Sequence, residues 1–169
     1  AWYSHNTPLP AKILPFPYGV NLSSAPLIWS AARLRPFIGF RRKGVFVPYA
    51  RIHSHLEGGA RETRLRIQDL AEPPRLGLTR YLLAVLRHQY VISPQGDRPD
   101  TYRHWESVAL GAVPVSDLAP HWTELFGEHM VFVENLAESL GNKLPENTFR
   151  PGTHLVSVKY WRETLRRDD

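Results

Sequence analysis

The stretch Leu78-Thr-Arg-Tyr-Leu-Leu-Ala-Val-Leu-Arg-His-Gln-Tyr-Val-Ile92 contains a helix pattern followed directly by a strand pattern. From Leu78 to Leu86 the apolar side chains recur at i, i+3, i+4, i+7 and i+8, the spacing of a helix buried on one side. Thr79 is the expected cap of this helix. The run Tyr90-Val-Ile92 predicts a short buried strand. A helix that leads into a buried strand is typical of an α/β domain.

Helix and strand patterns continue to alternate on both sides of this stretch. The first thirty residues are proline-rich, which predicts an extended leading segment or linker at 1–30 and a folded domain at 31–169. The alternation predicts a Rossmann-like three-layer α/β sandwich with a mainly parallel sheet. The predicted elements are a strand at Gly44–Ile52 weakened by Pro48, a helix at Ala60–Leu70, a helix at Thr101–Leu110 stopped by Gly111, a strand at Val113–Val115, a helix at Pro120–Phe126, a strand at Met130–Val133, a short helix at Leu136–Leu140 capped by Asn135, and a closing helix at His154–Arg167.

The composition is that of a soluble globular protein, with 43% hydrophobic and 22% charged residues among 169. No apolar stretch is long enough to cross a bilayer, so no membrane span is expected. The chain has no cysteine, which excludes disulfides, thiol catalysis and cysteine-ligated metal but does not identify a compartment. The first residue is Ala rather than Met, which we interpret as a processed or excised piece.

The net charge is +5, and it is unevenly distributed. The stretch 33–51 holds six basic residues and no acidic one, which fits an anionic partner or, equally, a solvated face. A nucleic-acid-binding module is one interpretation, in which aromatic side chains of the same stretch would stack on bases. Those aromatic residues are Phe37, Phe40, Phe46 and Tyr49.

Ligands of open α/β sheets bind at the carboxyl ends of the strands, which here indicates the loops Ala50–Gly59 and Ser93–Asp100. In the second loop Gly96 permits a positive φ or a close approach of ligand to backbone, and Asp100 is a suitable helix N-cap. Arg98 and Arg103 lie near the helix N-terminus, where the helix dipole disfavours cations by about 0.3–1 kcal/mol. A bound diphosphate would reverse that preference.

Glu106 lies one turn after Arg103 on the same side of the predicted helix. Its carboxylate could accept hydrogen bonds from sugar or ribose hydroxyls. The simpler interpretation is an Arg103–Glu106 ion pair at i, i+3, worth about 0.2–0.5 kcal/mol. The spacing by itself leaves both interpretations open and favours the ion pair.

Residues 90–115 resemble the donor-binding signature of exostosin-like glycosyltransferases. Members of that family show an apolar strand, Ser/Cys-Pro-x-Gly, a variable loop, Arg-x-x-Glu on a helix, and Gly-x-x-Pro-Val. This chain has Ser93-Pro-Gln-Gly96, Arg103-His-Trp-Glu106 and Gly111-Ala-Val-Pro-Val115 in the same order. The run from Asp100 to Glu106 is similar to a branch with Asp-Thr-His-Arg-Thr-Trp-Glu and departs from it at Tyr102 and at His104.

The resemblance implies a set of donor-binding residues. A family arginine on the first helix would correspond to Arg61 or Arg64, and the resemblance does not choose between them. The implied donor-binding residues are Ser93, Gly96, Arg98, Asp100, Thr101, Arg103 and Glu106, with Arg61 or Arg64.

The family implies a GT-B architecture, in which two Rossmann-like domains face a cleft. The chain would be the nucleotide-sugar-binding domain. The donor would be a UDP-sugar or, less favoured, a GDP-sugar, and the acceptor would be a glycan or another hydroxyl compound. The reaction would require no metal. The catalytic base would belong to an N-terminal partner domain, so the chain alone would be an incomplete catalytic unit. Two alternatives remain. One is the nucleic-acid-binding module at 33–51; if the glycosyltransferase interpretation holds, no nucleic acid is expected as a partner. The other is a non-catalytic relative that binds only the nucleotide. A metal held by His53 and His55 is a further, weaker hypothesis, because no third ligand has a convincing spacing.

Overall fold

A computed structural model describes residues 19–38, 43–53, 56, 58–96, 98–142, 144, 152–157, 159–160 and 163. Within these ranges the helices are α1 (Ala25–Arg33), α2 (Arg35–Ile38), α3 (Gly58–Ala71), α4 (Leu78–Arg87), α5 (Tyr102–Ala109) and α6 (Thr123–Phe126). The strands are β1 (Lys43–Phe46), β2 (His88–Ile92), β3 (Val113–Ser116) and β4 (Val131–Phe132). Short 3₁₀ turns span Pro120–Trp122, Gly127–His129, Glu138–Gly141 and Thr153–Val156.

The four strands form one parallel sheet in the order β1-β2-β3-β4. This confirms the predicted Rossmann-like α/β class. The predicted first strand is shorter than expected, since β1 ends at Phe46 and residues 47–53 form a loop. Pro48 explains the early end, because proline has no N–H to donate to the neighbouring strand.

Helices cover both faces of the sheet. On one face Phe46 and Val91 pack with apolar side chains of α1 and α4. On the other face Tyr90 and Ile92 pack with Ile67 of α3. Neighbouring residues of β2 therefore point into different cores, as the twofold alternation of a strand requires. The molecule has three layers.

Helix α4 carries the stripe that the sequence indicated. Leu82, Val85 and Leu86 are almost completely buried against the sheet. The expected cap is wrong: Gly77 is the N-cap and Thr79 lies inside the helix. Leu78, at the first position of α4, is 40% exposed. The apolar stripe thus predicts burial correctly at the centre of the helix but not in its first turn, because the first turn extends past the edge of the core.

Helix α1 contradicts the extended structure predicted for the first thirty residues, as far as the structure describes them. Ile28 and Ala31 are buried in the same core as α4. Pro26 lies in the first turn of α1, where proline is favoured because its missing N–H would have no helical partner. The high proline content thus predicted a connecting segment, but Pro26 instead marks the start of helix α1.

Gly111 terminates helix α5, as predicted, two residues after the last helical residue Ala109. Gly111 has φ +73°, its N–H donates to Val108 O at 3.0 Å, and the N–H of Ala112 donates to Ser107 O at 2.8 Å. These two bonds form a Schellman motif, which glycine favours because it has no Cβ. The guanidinium of Arg35 covers Gly111, since a Cβ there would lie 2.6 Å from Arg35 Cζ.

The remaining elements follow the predicted order. Helix α3 and strand β3 are slightly longer than predicted, whereas α5 and β4 are shorter. The helix expected at Leu136–Leu140 is the turn Glu138–Gly141, and the Glu138 N–H donates to Asn135 Oδ1 at 3.3 Å. Several predictions lie outside the described residues: the proline-rich residues up to 18, most of the closing helix, Phe40, Arg41 and Arg42 of the basic stretch, and His55 of the metal hypothesis.

Candidate functional site

A crevice lies at the carboxyl ends of β1 and β2. The loop after β1 leads to α3 on one face of the sheet, as the packing of Ile67 shows. The loop after β2 leads to α5 on the other face, where Val108 packs together with Phe132. Because the two loops diverge to opposite faces, a gap opens between them, and this is where open α/β sheets bind ligands. The two loops indicated by the sequence therefore meet at one site.

Arg64 of α3 joins the two loops. Its Nε donates to Gln95 O at 2.9 Å, and its Nη1 donates to Arg51 O at 2.6 Å. The side chain is only 7% exposed. Arg61, the other candidate arginine on this helix, is exposed on the surface of α3. The structure thus brings Arg64, and not Arg61, into the crevice.

Arg103 of α5 reaches across to the loop after β1. Its Nη2 donates to Tyr49 O at 2.9 Å. Its Nε is buried and has no hydrogen-bond partner among the described residues. Leaving a buried donor of a charged group unpaired is costly, so such an atom requires an explanation in a native structure.

Glu106 is hydrogen-bonded to a residue that the sequence had placed only in the core. The hydroxyl of Tyr81, on α4, donates to Glu106 Oε2 at 2.9 Å. In the part of the chain that the structure describes, Glu106 forms no ion pair with Arg103, so the ion pair considered from the spacing is wrong. Burial raises the pKa of the Glu106 carboxyl, opposed by Tyr81 and Arg103. Burial, with the Glu106 charge second, raises the pKa of the Tyr81 hydroxyl well above its usual range.

The start of α5 differs from the prediction. The N-cap is Thr101 rather than Asp100. Asp100 is buried and its Oδ2 accepts a hydrogen bond of 2.9 Å from Trp105 Nε1. The Asp100 side chain therefore holds the buried Trp105 in place. Because its carboxylate is used in this contact, it does not cap the N-terminus of α5.

His104 is completely buried. The Thr101 N–H donates to its Nδ1 at 2.8 Å, which places the ring proton on Nε2. Nε2 lies 3.0 Å from Ser93 O and 2.9 Å from Ser116 Oγ. Burial is the main cause that lowers the pKa of this histidine to about 3. His104 is thus a neutral residue that ties the start of α5 to β2 and β3.

Ser93 and Gly96 belong to the loop after β2, and Gly96 lines the crevice. Ser93 is fully buried, its N–H donates to Val115 O at 2.9 Å, and its Oγ has no hydrogen-bond partner among the described residues. Gly96 does not adopt a positive φ. A Cβ at Gly96 would lie 2.8 Å from Thr101 Cγ2 and 3.1 Å from Arg64 Nη2. The glycine is required because two protein side chains, rather than a ligand, approach its backbone.

The crevice contains two cavities that share four lining residues and so form one cleft. The larger has a volume of about 400 Å³ and holds Arg103 and Glu106, and the smaller has about 260 Å³ and holds Arg98. Arg98 and Arg103, which were expected to converge, therefore line different cavities. The larger is lined by Tyr49, Arg51, His53, Arg64, Leu76, Leu78, Tyr81, Thr101, Tyr102, Arg103 and Glu106. The smaller is lined by His53, Arg64, Gly96, Arg98, Asp100, Thr101 and Tyr102.

The charge balance of the cleft is positive. Four arginines line it, against the carboxyls of Asp100 and Glu106. Asp100 is engaged with Trp105, and Glu106 with Tyr81. The arrangement can attract an anion and offer it guanidinium donors.

The described members of the basic stretch 33–51 do not form one surface. Arg35 covers Gly111, Arg51 lines the cleft, and Phe46 is buried in the core. Phe37 is 84% exposed on α2. The aromatic residues proposed as a stacking surface are thus dispersed, and Phe46 is inaccessible to a base.

Comparisons of the chain with protein-family models, with curated proteins and with solved structures give no match. No described helix is long and apolar enough to cross a membrane. The fold and the geometry define an α/β protein with a cationic cleft at the carboxyl edge of a parallel sheet. The sequence missed Tyr49, Arg51, Leu76 and Tyr81 as lining residues. The one available signal was that Arg51 belongs to the loop Ala50–Gly59, which the sequence indicated as a ligand-binding loop.

Proposed function

We propose that this chain is the donor-binding domain of a glycosyltransferase of the exostosin-like type, and that its cleft holds a nucleoside-diphosphate sugar. The observation that carries the proposal is Arg103. Its buried Nε has no partner among the described residues, and it lies beside a cavity that Arg51 and Arg64 also line. A phosphate oxygen in this cavity would accept hydrogen bonds from the guanidinium groups that line it and would neutralise part of the positive charge.

The resemblance of residues 90–115 to the family signature supports the same ligand. The arginine of its Arg-x-x-Glu pattern is Arg103, and the glutamate is Glu106; both line the larger cavity. The proposal assigns the diphosphate to Arg103 and hydroxyl groups of the ligand to Glu106. As the sugar leaves, negative charge grows on the β-phosphate, and Arg103 stabilises that charge.

Calorimetric titration of UDP and GDP into the wild type and Arg103→Ala tests the proposal. Charge-assisted hydrogen bonds contribute about 1.5–3 kcal/mol, so we expect Arg103→Ala to weaken binding by roughly 10- to 100-fold. The variant also loses the charge-assisted bond to Tyr49 O, which lowers the free energy of unfolding by about 1.5–3 kcal/mol, so circular dichroism must first show that the variant is folded.

Arg61→Ala is the matched control. It removes the same charge from an exposed position of α3, so nucleotide affinity should stay within about twofold of the wild type, as expected for a screened surface charge. Equal affinity of the wild type and Arg103→Ala, with both proteins folded by circular dichroism, would contradict the proposal. No binding of either nucleotide by the wild type would also contradict it.

A further inference from the structure

The larger cavity has an apolar wall as well as a cationic one. Leu76 and Leu78 belong to the connection between α3 and α4, and Tyr49 lies in the loop after β1. Arg75, next to Leu76, contacts Tyr49, so these apolar side chains belong to one part of the cleft. Arg64, by contrast, is fixed to the loop after β2 through Gln95.

The Tyr49 ring is held in place from one side. The guanidinium carbon of Arg75 lies 4.4 Å from the ring centroid, and Arg75 Nη2 donates to the Tyr49 hydroxyl at 3.0 Å. A cation over an aromatic face stabilises that arrangement. The hydroxyl is thereby engaged, so the ring is the part of the side chain that remains for an apolar contact.

The connection that carries Arg75 and Leu76 is conformationally restricted. Glu72, directly after α3, has φ +43°, and Pro73 and Pro74 follow it. Two prolines fix two φ angles and so reduce the conformations open to the segment. A wall restricted in this way is organised before a ligand binds, which lowers the entropic cost of binding.

The backbone of Tyr49 links this wall to the proposed phosphate site. Tyr49 O accepts the hydrogen bond from Arg103 Nη2, and Tyr49 is one of the residues that line the cavity. A ligand on Arg103 would therefore share with Tyr49 a cavity of about 400 Å³, a volume suited to a small organic ligand. A nucleoside diphosphate carries both a diphosphate, which would contact Arg103, and a flat base, which would contact Tyr49.

We infer that Tyr49, with Leu76 and Leu78, forms the nucleobase subsite of the cleft, and that Arg75 positions the Tyr49 ring. The inference rests on the proposed function. The base packs against the Tyr49 ring and the leucine side chains, and the diphosphate contacts Arg103. The cleft then binds UDP more tightly than inorganic pyrophosphate, because pyrophosphate lacks the base.

The test is titration of UDP and of inorganic pyrophosphate into the wild type, Tyr49→Leu and Tyr49→Phe. Stacking of a base on an aromatic side chain corresponds to about a tenfold change in affinity. We expect Tyr49→Leu to weaken UDP by about that factor and to leave pyrophosphate unchanged. Tyr49→Phe, which keeps the ring, should retain the wild-type ratio of the two affinities.

Leu78→Ser repeats the test at a position that is 40% exposed and carries little risk to folding. It should weaken UDP about threefold and leave pyrophosphate unchanged, the effect expected for losing part of an apolar contact. The inference is overturned if Tyr49→Leu weakens both ligands equally, if Tyr49→Phe behaves like Tyr49→Leu, or if the wild type binds the two ligands equally. Failure of the proposed function is a different result, namely that the wild type binds neither ligand.

Discussion

Arg64 and Arg103 each have a structural role in the cleft that is distinct from any role in ligand binding. Arg64 satisfies the carbonyl groups of Gln95 and Arg51, and Arg103 satisfies that of Tyr49. Loop carbonyls need donors whether or not a ligand is present. The unpartnered Nε of Arg103 has no such structural explanation. For this reason Arg103 is the informative residue for a binding test, whereas Arg64 is expected to affect folding first.

His104 is the residue through which acid should destabilise the fold. Its pKa is lowered from 6.5 to about 3 in the folded chain. Between these values the unfolded chain binds a proton that the folded chain does not, so the free energy of unfolding falls as the pH falls below 6.5. The slope reaches about 1.4 kcal/mol per pH unit. From pH 7 to pH 5 the expected loss is about 2 kcal/mol.

Urea unfolding of the wild type and His104→Gln at pH 7 and pH 5 measures this effect. Gln carries no titrating group, so the variant should be less stable at pH 7 but lose about 2 kcal/mol less on acidification. Glu106, whose pKa is raised, acts with the opposite sign and is present in both proteins. The difference between the two proteins therefore isolates His104. Identical pH slopes would show that His104 is not neutral in the folded protein.

At the scale of elements, the start of α5 is packed directly against the loop after β2. Gly96 leaves just enough space for Thr101 and Arg64. The geometry of the cleft thus depends on the absence of one methyl group. Strain at this contact would move the N-terminus of α5 and the guanidinium of Arg64 together.

We expect Gly96→Ala to weaken UDP binding by roughly tenfold, because a Cβ 2.8 Å from Thr101 Cγ2 must displace the start of α5. Thr101→Ser removes that methyl and keeps the hydroxyl. The double variant Gly96→Ala/Thr101→Ser should therefore recover most of the affinity, measured by the same titration. If the double variant binds no better than Gly96→Ala, the contact with Thr101 is not the cause.

At the scale of the whole molecule, the described residues form one three-layer α/β domain with its cleft at one edge. The proposed enzyme has two such domains facing each other, and its base lies in the other one. Binding and turnover should then separate in this chain.

The chain alone should bind UDP but transfer little or no sugar from a UDP-sugar to a hydroxyl acceptor. Binding is read from thermal stability, since a ligand at 100 times its Kd stabilises a fold by about 2.7 kcal/mol. Transfer is read from the release of UDP in the presence of acceptor. Rapid release by the chain without any partner would contradict the assignment of the base to another domain.

Much of the fold could be predicted because it depends on local patterns. The stripe on α4, the apolar runs of β2 and β3, and Gly111 each reflect a rule that operates within a few residues. The errors lie where a residue serves a distant partner. Pro26 was taken as part of a linker because the pattern did not reveal that Ile28 packs on α4.

The candidate site was predictable as two loops and a set of residue types, but not as contacts. The sequence by itself indicated that ligands would bind at the loops after β1 and β2, and that Arg103 would lie near the start of α5, whereas the neighbouring positions of β1 and β2 were fixed by the sheet. Only the tertiary structure decided that Glu106 bonds Tyr81, that Asp100 bonds Trp105, that Arg64 enters the cleft while Arg61 stays outside, and that Tyr49 lines the same cavity as Arg103. The reason is physical: helix and strand periodicity is set by neighbours along the chain, whereas the partner of a polar side chain is set by which elements pack around it.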